Sequence, residues 1–282
     1  MRNTFLWCTL RITVWLFVSV FLMPVEGHCQ SLFDLRGSTQ STGLAHATAA
    51  RTGLSGMHVN PASWAAVEAR QAAVYAGQMY GMPELRHGAV SLHWPTSFAH
   101  LAGGSSTFGF EDYRETYLSL GAARLVHFGA MQSLHLGATV RYYHVDVGPF
   151  GHAQAAGVHL GAIMQVLPLV YVGVHATNVN QPQWTDDTPL PRTLSAGAAY
   201  DVSDAIDLSA DFFKDLDFPL RFRAGLEAAL LPVLTLRGGL QTAPAEFAAG
   251  VEVGYGPLRA GLAAEQHWEL GWSPAADLRV VW

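Results

Sequence analysis

Three stretches of strict two-residue periodicity constrain this chain more than any other feature. Leu134, Leu136, Ala138, Val140 and Tyr142 alternate with His135, Gly137, Thr139, Arg141 and Tyr143. Ile206, Leu208, Ala210 and Phe212 alternate with Asp207, Ser209 and Asp211; Phe218, Leu220, Phe222, Ala224 and Leu226 alternate with Arg221, Arg223, Gly225 and Glu227. Successive side chains of a strand point to opposite faces, so each stretch reads as a strand with one apolar and one polar face. In a water-soluble sheet the apolar face turns inward. In a transmembrane barrel it meets lipid, and the charged face lines the lumen.

Composition selects the second arrangement. Charged residues make up 13% of the 282 residues, against about 25% in soluble domains, while hydrophobic residues reach 50% and glycines number 28. No run after residue 24 approaches the roughly 20 apolar residues of a spanning helix, so helical spans are excluded from the mature chain. The expected fold class is all-β: a transmembrane antiparallel β-barrel.

Residues 1–29 read as a secretory signal peptide, with Arg2 and Arg11 as the basic region, an apolar stretch from Ile12, and Pro24 and Gly27 before small residues. Cleavage is expected after Cys29, with Gly27 as the second possibility. Cys29 also raises a lipoprotein signal, to which Glu26, Gly27 and His28 are a poor match. The only cysteines, Cys8 and Cys29, lie in this leader, so the mature chain is expected to carry no thiol or disulfide. Removing Arg2 and Arg11 from 16 basic residues and Glu26 from 22 acidic ones leaves 14 and 21, moving the formal charge from -6 to -7. A single lysine, Lys214, and no basic tract argue against nucleic acid as a partner.

Residues 30–70 lack the alternation and are dense in Gly, Ala, Ser and Thr. Helical turns are expected over residues 42–51 and from Pro61, the latter capped by Asn60. About 40 such residues cannot build a core alone, which places them inside or under the barrel as a small amino-terminal hatch. Residues 71–282 then form the barrel, with about 14 strands at 71–80, 85–94, 97–107, 116–126, 133–145, 154–166, 169–177, 192–200, 204–213, 218–230, 233–240, 246–255, 258–265 and 275–282. Twelve is the alternative count if 85–94 and 97–107 are misread. Connectors alternate between tight ones, at Trp94-Pro95-Thr96, Val166-Leu167-Pro168, Asp201-Val202-Ser203-Asp204, Leu231-Pro232 and Tyr255-Gly256-Pro257, and longer ones at 110–115, 178–191 and 265–274. Short periplasmic turns and longer external loops produce this alternation. Leu278, Val280 and the terminal Trp282 on one face resemble the signal read by the barrel-assembly machinery, and Trp94, Tyr255 and Trp282 are placed for an interfacial girdle. Outer-membrane lipid is the expected surrounding.

Inward parity collects the charges Arg141, Asp207, Asp211, Arg221, Arg223, Glu227, Arg237, Glu252 and Arg259. Neighbouring strands would set Asp207 or Asp211 against Arg221 or Arg223, and Glu227 against Arg237. Buried unpaired charge is costly, so these groups either hold barrel and hatch together through ion pairs or line a path for a polar solute. Thirteen histidines show no H-E-x-x-H or Cys spacing; His135, His159 and His175 read as lumen residues. Asp186-Asp187-Thr188 could offer oxygens to calcium but reads more simply as a solvated acidic loop, and Gly103-Gly104-Ser105-Ser106 lacks the Lys and helix of a phosphate loop. His267 with Ser273 is the one loop pair for a hydrolase, without an acidic partner. No catalytic residue, cofactor or metal is expected.

Asn60-Pro61-Ala62, after the Gly/Ala-rich run 43–56, resembles the hatch of the FadL superfamily of outer-membrane barrels. The segments Gly173-Val174-His175-Ala176-Thr177-Asn178, Asp186-Asp187, Pro189, Pro191-Arg192 and Ser195-Ala196-Gly197-Ala198-Ala199-Tyr200 resemble the PorV/PorQ group within it, as do Ala224-Gly225-Leu226-Glu227, Leu236-Arg237-Gly238-Gly239-Leu240 and Leu270-Gly271. Two departures are a short mature chain and the absence of a His-Arg pair near Ser273-Pro274. The resemblance implies a non-enzymatic barrel accessory to type IX protein secretion or surface attachment, with secreted cargo proteins and type IX components as partners. The alternative it leaves open is a FadL-like channel for hydrophobic small molecules.

Overall fold

The computed structural model describes residues 36–128, 132–185 and 188–282. The expected leader and the pair Asp186 and Asp187 lie outside the described residues. In chain order the strands are β1 (Gln71–Gln78), β2 (Arg86–Pro95), β3 (His100–Gly109), β4 (Arg114–Phe128), β5 (Gln132–Asp146), β6 (His152–Leu167), β7 (Val170–Ala176), β8 (Gln183–Thr185) and β9 (Thr188–Pro189). There follow β10 (Thr193–Ser203), β11 (Ile206–Asp215), β12 (Arg221–Leu231), β13 (Leu234–Gln241), β14 (Glu246–Tyr255), β15 (Leu258–His267) and β16 (Gly271–Val281). All but β8 and β9 close into one antiparallel barrel, sealed where β1 pairs with β16 from Gln71 opposite Val281 to Gly77 opposite Ala275. The barrel count is therefore 14. The two remaining strands form a small hairpin in the long connector after β7, which the sequence pattern did not announce.

The barrel faces are those set by the alternation. Leu120 and Leu262 on the outer surface are 73% and 61% exposed, whereas Arg141 and Asp211 on the inner surface are each 2% exposed. An exposed apolar girdle around a polar interior is what a bilayer-spanning barrel requires. Connectors after β2, β4, β6, β10, β12 and β14 lie at one end of the barrel, with Trp94, Tyr255 and Trp282; those after β1, β3, β5, β7, β11, β13 and β15 lie at the other.

Several boundaries differ from the sequence expectation. β12 begins at Arg221 rather than Phe218, because Phe218 N–H closes a turn onto the Asp215 carbonyl and Pro219 follows. β16 begins at Gly271 and runs through Pro274. That proline lies beyond the last β1 partner, Ala275, where a missing N–H removes no closing bond.

Residues 36–67 fill the interior. Helix α1 (Thr39–Gly43) is capped by Ser38, whose Oγ accepts from Ser41 N–H, and packs on β13, β14, β15 and β16. The expected helix over 42–51 does not form, because Ala45 and His46 take left-handed backbone angles directly after Gly43. The turn at Pro61 does form, as a 3-10 helix (Pro61–Ala66) capped by Asn60 and packed on β3, β4, β5 and β6. The segment thus bridges the lumen. Leu54, Met57, Val59, Trp64 and Ala65 form its apolar half, against Ala102, Ala123 and Leu125 of the wall. Burying an indole of about 200 Å² contributes roughly 5 kcal/mol before ordering entropy, so Trp64 is the largest single apolar anchor of this half.

Candidate functional site at the inner segment and its wall

Asn60 is the hub of the contacts between the inner segment and the wall. Its Oδ1 accepts from Ala62 N–H at 3.0 Å, holding Pro61 at the start of the turn, while Nδ2 donates to the Ala49 carbonyl at 2.6 Å and the Val174 carbonyl of β7 at 3.1 Å. It is fully buried. The wall meets this motif with glycine. A Cβ on Gly161 would stand 1.8 Å from Asn60 Oδ1, and one on Gly137 would stand 2.4 Å from the Pro61 carbonyl carbon. Only a residue without a side chain lets the Asn60 amide and the Pro61 backbone come so close to the wall.

The charged residues divide by partner. Asp211 accepts from the Thr48 and Ala49 amides at 3.1 and 3.0 Å. Asp207 and Glu227 both accept from Arg51, at 3.1 and 2.9 Å, and Glu227 also pairs with Arg237. Glu252 takes Arg237 at 3.4 Å and Arg279 at 2.8 Å; Arg279 in turn donates to Ser55 at 3.0 Å. Arg141 donates to Ser119 Oγ and the Met57 carbonyl, both at 2.9 Å. These side chains tie the wall to the inner segment, and Glu227 meets Arg237 in the register expected.

Asp211 stands opposite Arg223, as the register predicts; its carboxylate accepts from the inner segment's amides, and Arg223 stacks on the Phe213 ring at 3.7 Å. One expectation is corrected. Arg259 does not line the lumen. It folds back at the barrel end to donate to the Gly256 and Leu258 carbonyls, because Gly254 beside it leaves the space.

The sequence reading missed the Arg36–Glu265–His46 cluster, in which Arg36 Nη2 and His46 Nε2 approach Glu265 at 2.6 and 2.7 Å. It also missed the cap of Thr39 by Asp277, through N–H and Oγ1 at 2.8 Å each. Glu265 and Asp277 sit on the inward parity of β15 and β16, a signal available in the alternation had it been carried to the strand ends. Burial alone would lower the Arg36 guanidinium, but Glu265 against it more than reverses this, so it is held above its ordinary value and stays charged. Burial pushes the imidazole of His58 down to about 4.

His135, His159 and His175 face inward, and His159 Nε2 lies 3.0 Å from Tyr143 Oη. Among the described residues no three His, Cys, Asp or Glu side chains converge as metal ligands. His267 and Ser273 are not brought together as a catalytic pair. Ser273 stands opposite Glu265 and accepts from Tyr80 N–H, while His267 Nδ1 accepts from the Glu269 and Leu270 amides.

A further feature lies on the outer surface. A groove of about 580 Å³ crosses β4, β5, β6 and β7 and is lined by apolar residues such as Leu136, Leu160 and Val174 together with Gly137 and Gly161. Those two glycines are also the seat of Pro61 and Asn60 inside. Between the outer groove and the inner segment the wall is here a single backbone layer.

No protein-family profile and no curated protein matches the sequence. Solved structures do match. The CymD monoaromatic hydrocarbon channel superposes with a TM-score of 0.62 at 12% identity, over 90% of this chain and 98% of that one. The Ralstonia pickettii toluene transporter TbuX gives 0.59 at 13% identity, over 89% and 98%. A Pseudomonas aeruginosa FadL homologue gives 0.55 at 10% identity, over 87% and 98%. At these identities the likeness is one of fold: this chain has the 14-stranded barrel architecture of FadL-type outer-membrane proteins.

Proposed function

We propose that the protein is a non-enzymatic outer-membrane barrel that admits small hydrophobic molecules, with residues 36–67 as its movable hatch. The observation carrying this reading is the double role of Gly137 and Gly161, which seat Asn60-Pro61 on the inside and floor an apolar groove on the outside. Displacing the hatch there would leave only the β5–β6 ladder between the lumen and the hydrocarbon, and parting it at the Gly137–Gly161 pair would open a short lateral route for an apolar solute. The fold shared with a monoaromatic hydrocarbon channel and a toluene transporter supports the same solute class. The test is uptake of radiolabelled toluene by cells with and without the gene: uptake should fall on deletion and return on complementation. Equal rates in both would refute the reading.

A second reading, an accessory of type IX secretion, is favoured by a lumen crossed by ion pairs and holding, beside His46, His58 and Arg223, a cavity of only about 10 Å³. That is room for about one water. On this reading the barrel is a fixed platform, its hatch never moves, and secreted proteins bearing sorting domains co-purify with it.

A further inference from the structure

The lipid-facing wall carries one charge away from its external rim. Among described strand residues on the outward parity, Arg86, Arg114, Asp146 and Lys214 stand at the external ends of β2, β4, β5 and β11, whereas Arg124 lies four residues from the opposite end of β4. On that face it follows Leu118, Leu120 and Ala122. β3 begins at His100, paired with Ala123, so Arg124 lies one residue past its neighbour's end, beside the turn from Thr96 to Ala99. Trp94, an exposed ring of the same barrel end, sits close to this level. The side chain is exposed and makes no hydrogen bond or ion pair with a described residue.

Arg124 forms the rim of the 580 Å³ groove. Ala122, Ala138, Ala162 and Ala176 make its floor, between the larger Leu136 and Leu160. A second groove of about 590 Å³ crosses β10, β11, β12 and β13, with Ala198, Ala210, Ala224 and Gly238 in its lining and no charged residue. The two are alike in volume and small-residue lining, and differ in the cation.

We propose that the first groove holds one phospholipid of the periplasmic leaflet, its phosphodiester on Arg124 and one acyl chain along the alanine floor. An arginine on the lipid face is tolerated only near the headgroups, where its stem lies on apolar surface and its head reaches polar groups. The guanidinium fork matches phosphate oxygens. Within a bilayer the hydrophobic effect does not favour one apolar contact over another, so close packing decides, and small residues allow the closest approach. The position of Arg124, at the end with short turns, selects a phospholipid over the lipopolysaccharide of the outer leaflet. This inference rests on the barrel spanning the membrane and not on what it transports.

Native mass spectrometry of the full chain, titrated with phosphatidylglycerol or with diacylglycerol of the same chains, tests it without measuring uptake. Phosphatidylglycerol should give one preferred adduct, weakened about five-fold in R124Q and lost in A138F, which fills the groove. A224F, which fills the uncharged groove, should keep the adduct, and diacylglycerol should give none. Heat-modifiable gel migration checks that each variant is a folded barrel, and R124Q carries the test if A138F does not fold. Equal adducts in R124Q and the unsubstituted protein, or equal binding of diacylglycerol, would overturn the proposal.

Discussion

Replacing Asn60 by alanine separates the hatch from its wall without touching a strand. The substitution removes the Nδ2 bonds to the Ala49 and Val174 carbonyls and the Oδ1 cap on Ala62 N–H. Two of these bonds lie within the hatch and one reaches β7, so at about 1 kcal/mol net for each buried hydrogen bond the hatch's internal fold and its seat together weaken by about 3 kcal/mol. Its open state then rises on the order of a hundred-fold. Hydrogen–deuterium exchange in micelles reads this directly, because opening free energies set amide exchange. The informative amides are Leu54, which donates to Ser63 Oγ, and Ser63, which donates to the Asn60 carbonyl, since neither bonds the deleted side chain. Both should exchange about a hundred times faster in N60A, while β6 amides keep their protection. Exchange within five-fold of the unsubstituted protein at both amides would refute the idea that Asn60 holds the hatch.

Seating should also depend on pH through His58. Its imidazole is buried in the hatch and held near 4, below the free value of about 6.5, so the seated state favours the neutral ring. Stability from this group is complete above about pH 6.5 and is lost as pH falls toward 4, by up to about 3 kcal/mol; H58Q should flatten the hatch's exchange rates across that window. On the outer face, L120R places a charge at the most exposed strand leucine. It should destabilise the barrel in vesicles by about 2–4 kcal/mol, measured by reversible urea unfolding, where a water-soluble barrel would tolerate it.

The class of fold was legible because alternation is a local signal: Leu134 to Tyr143 declare both faces of β5 without reference to any other strand. A count of 14 or 12 and the alternation of the connectors between two ends followed from the same signal, and closure of the barrel gives 14. What could not be read depended on partners remote in sequence. Nothing around Asp211 indicates that it caps amides at Thr48 and Ala49 as well as standing opposite an arginine. Arg36 and Arg51 lie in a segment without periodicity, so their pairing with Glu265, Asp207 and Glu227 emerges only when the chain is closed. The hatch motif was found by resemblance, and its glycine seats at Gly137 and Gly161 lie more than 70 residues downstream.

The seam of the barrel is also where its occupant is anchored. β1 follows the hatch directly in sequence, and its pairing with β16 closes the barrel. Asp277 and Arg279 on that final strand grip Thr39 and Ser55 of the hatch. The strand that closes the barrel is thus also a strand that holds its occupant, so a change on the inward face of β16 bears on both at once.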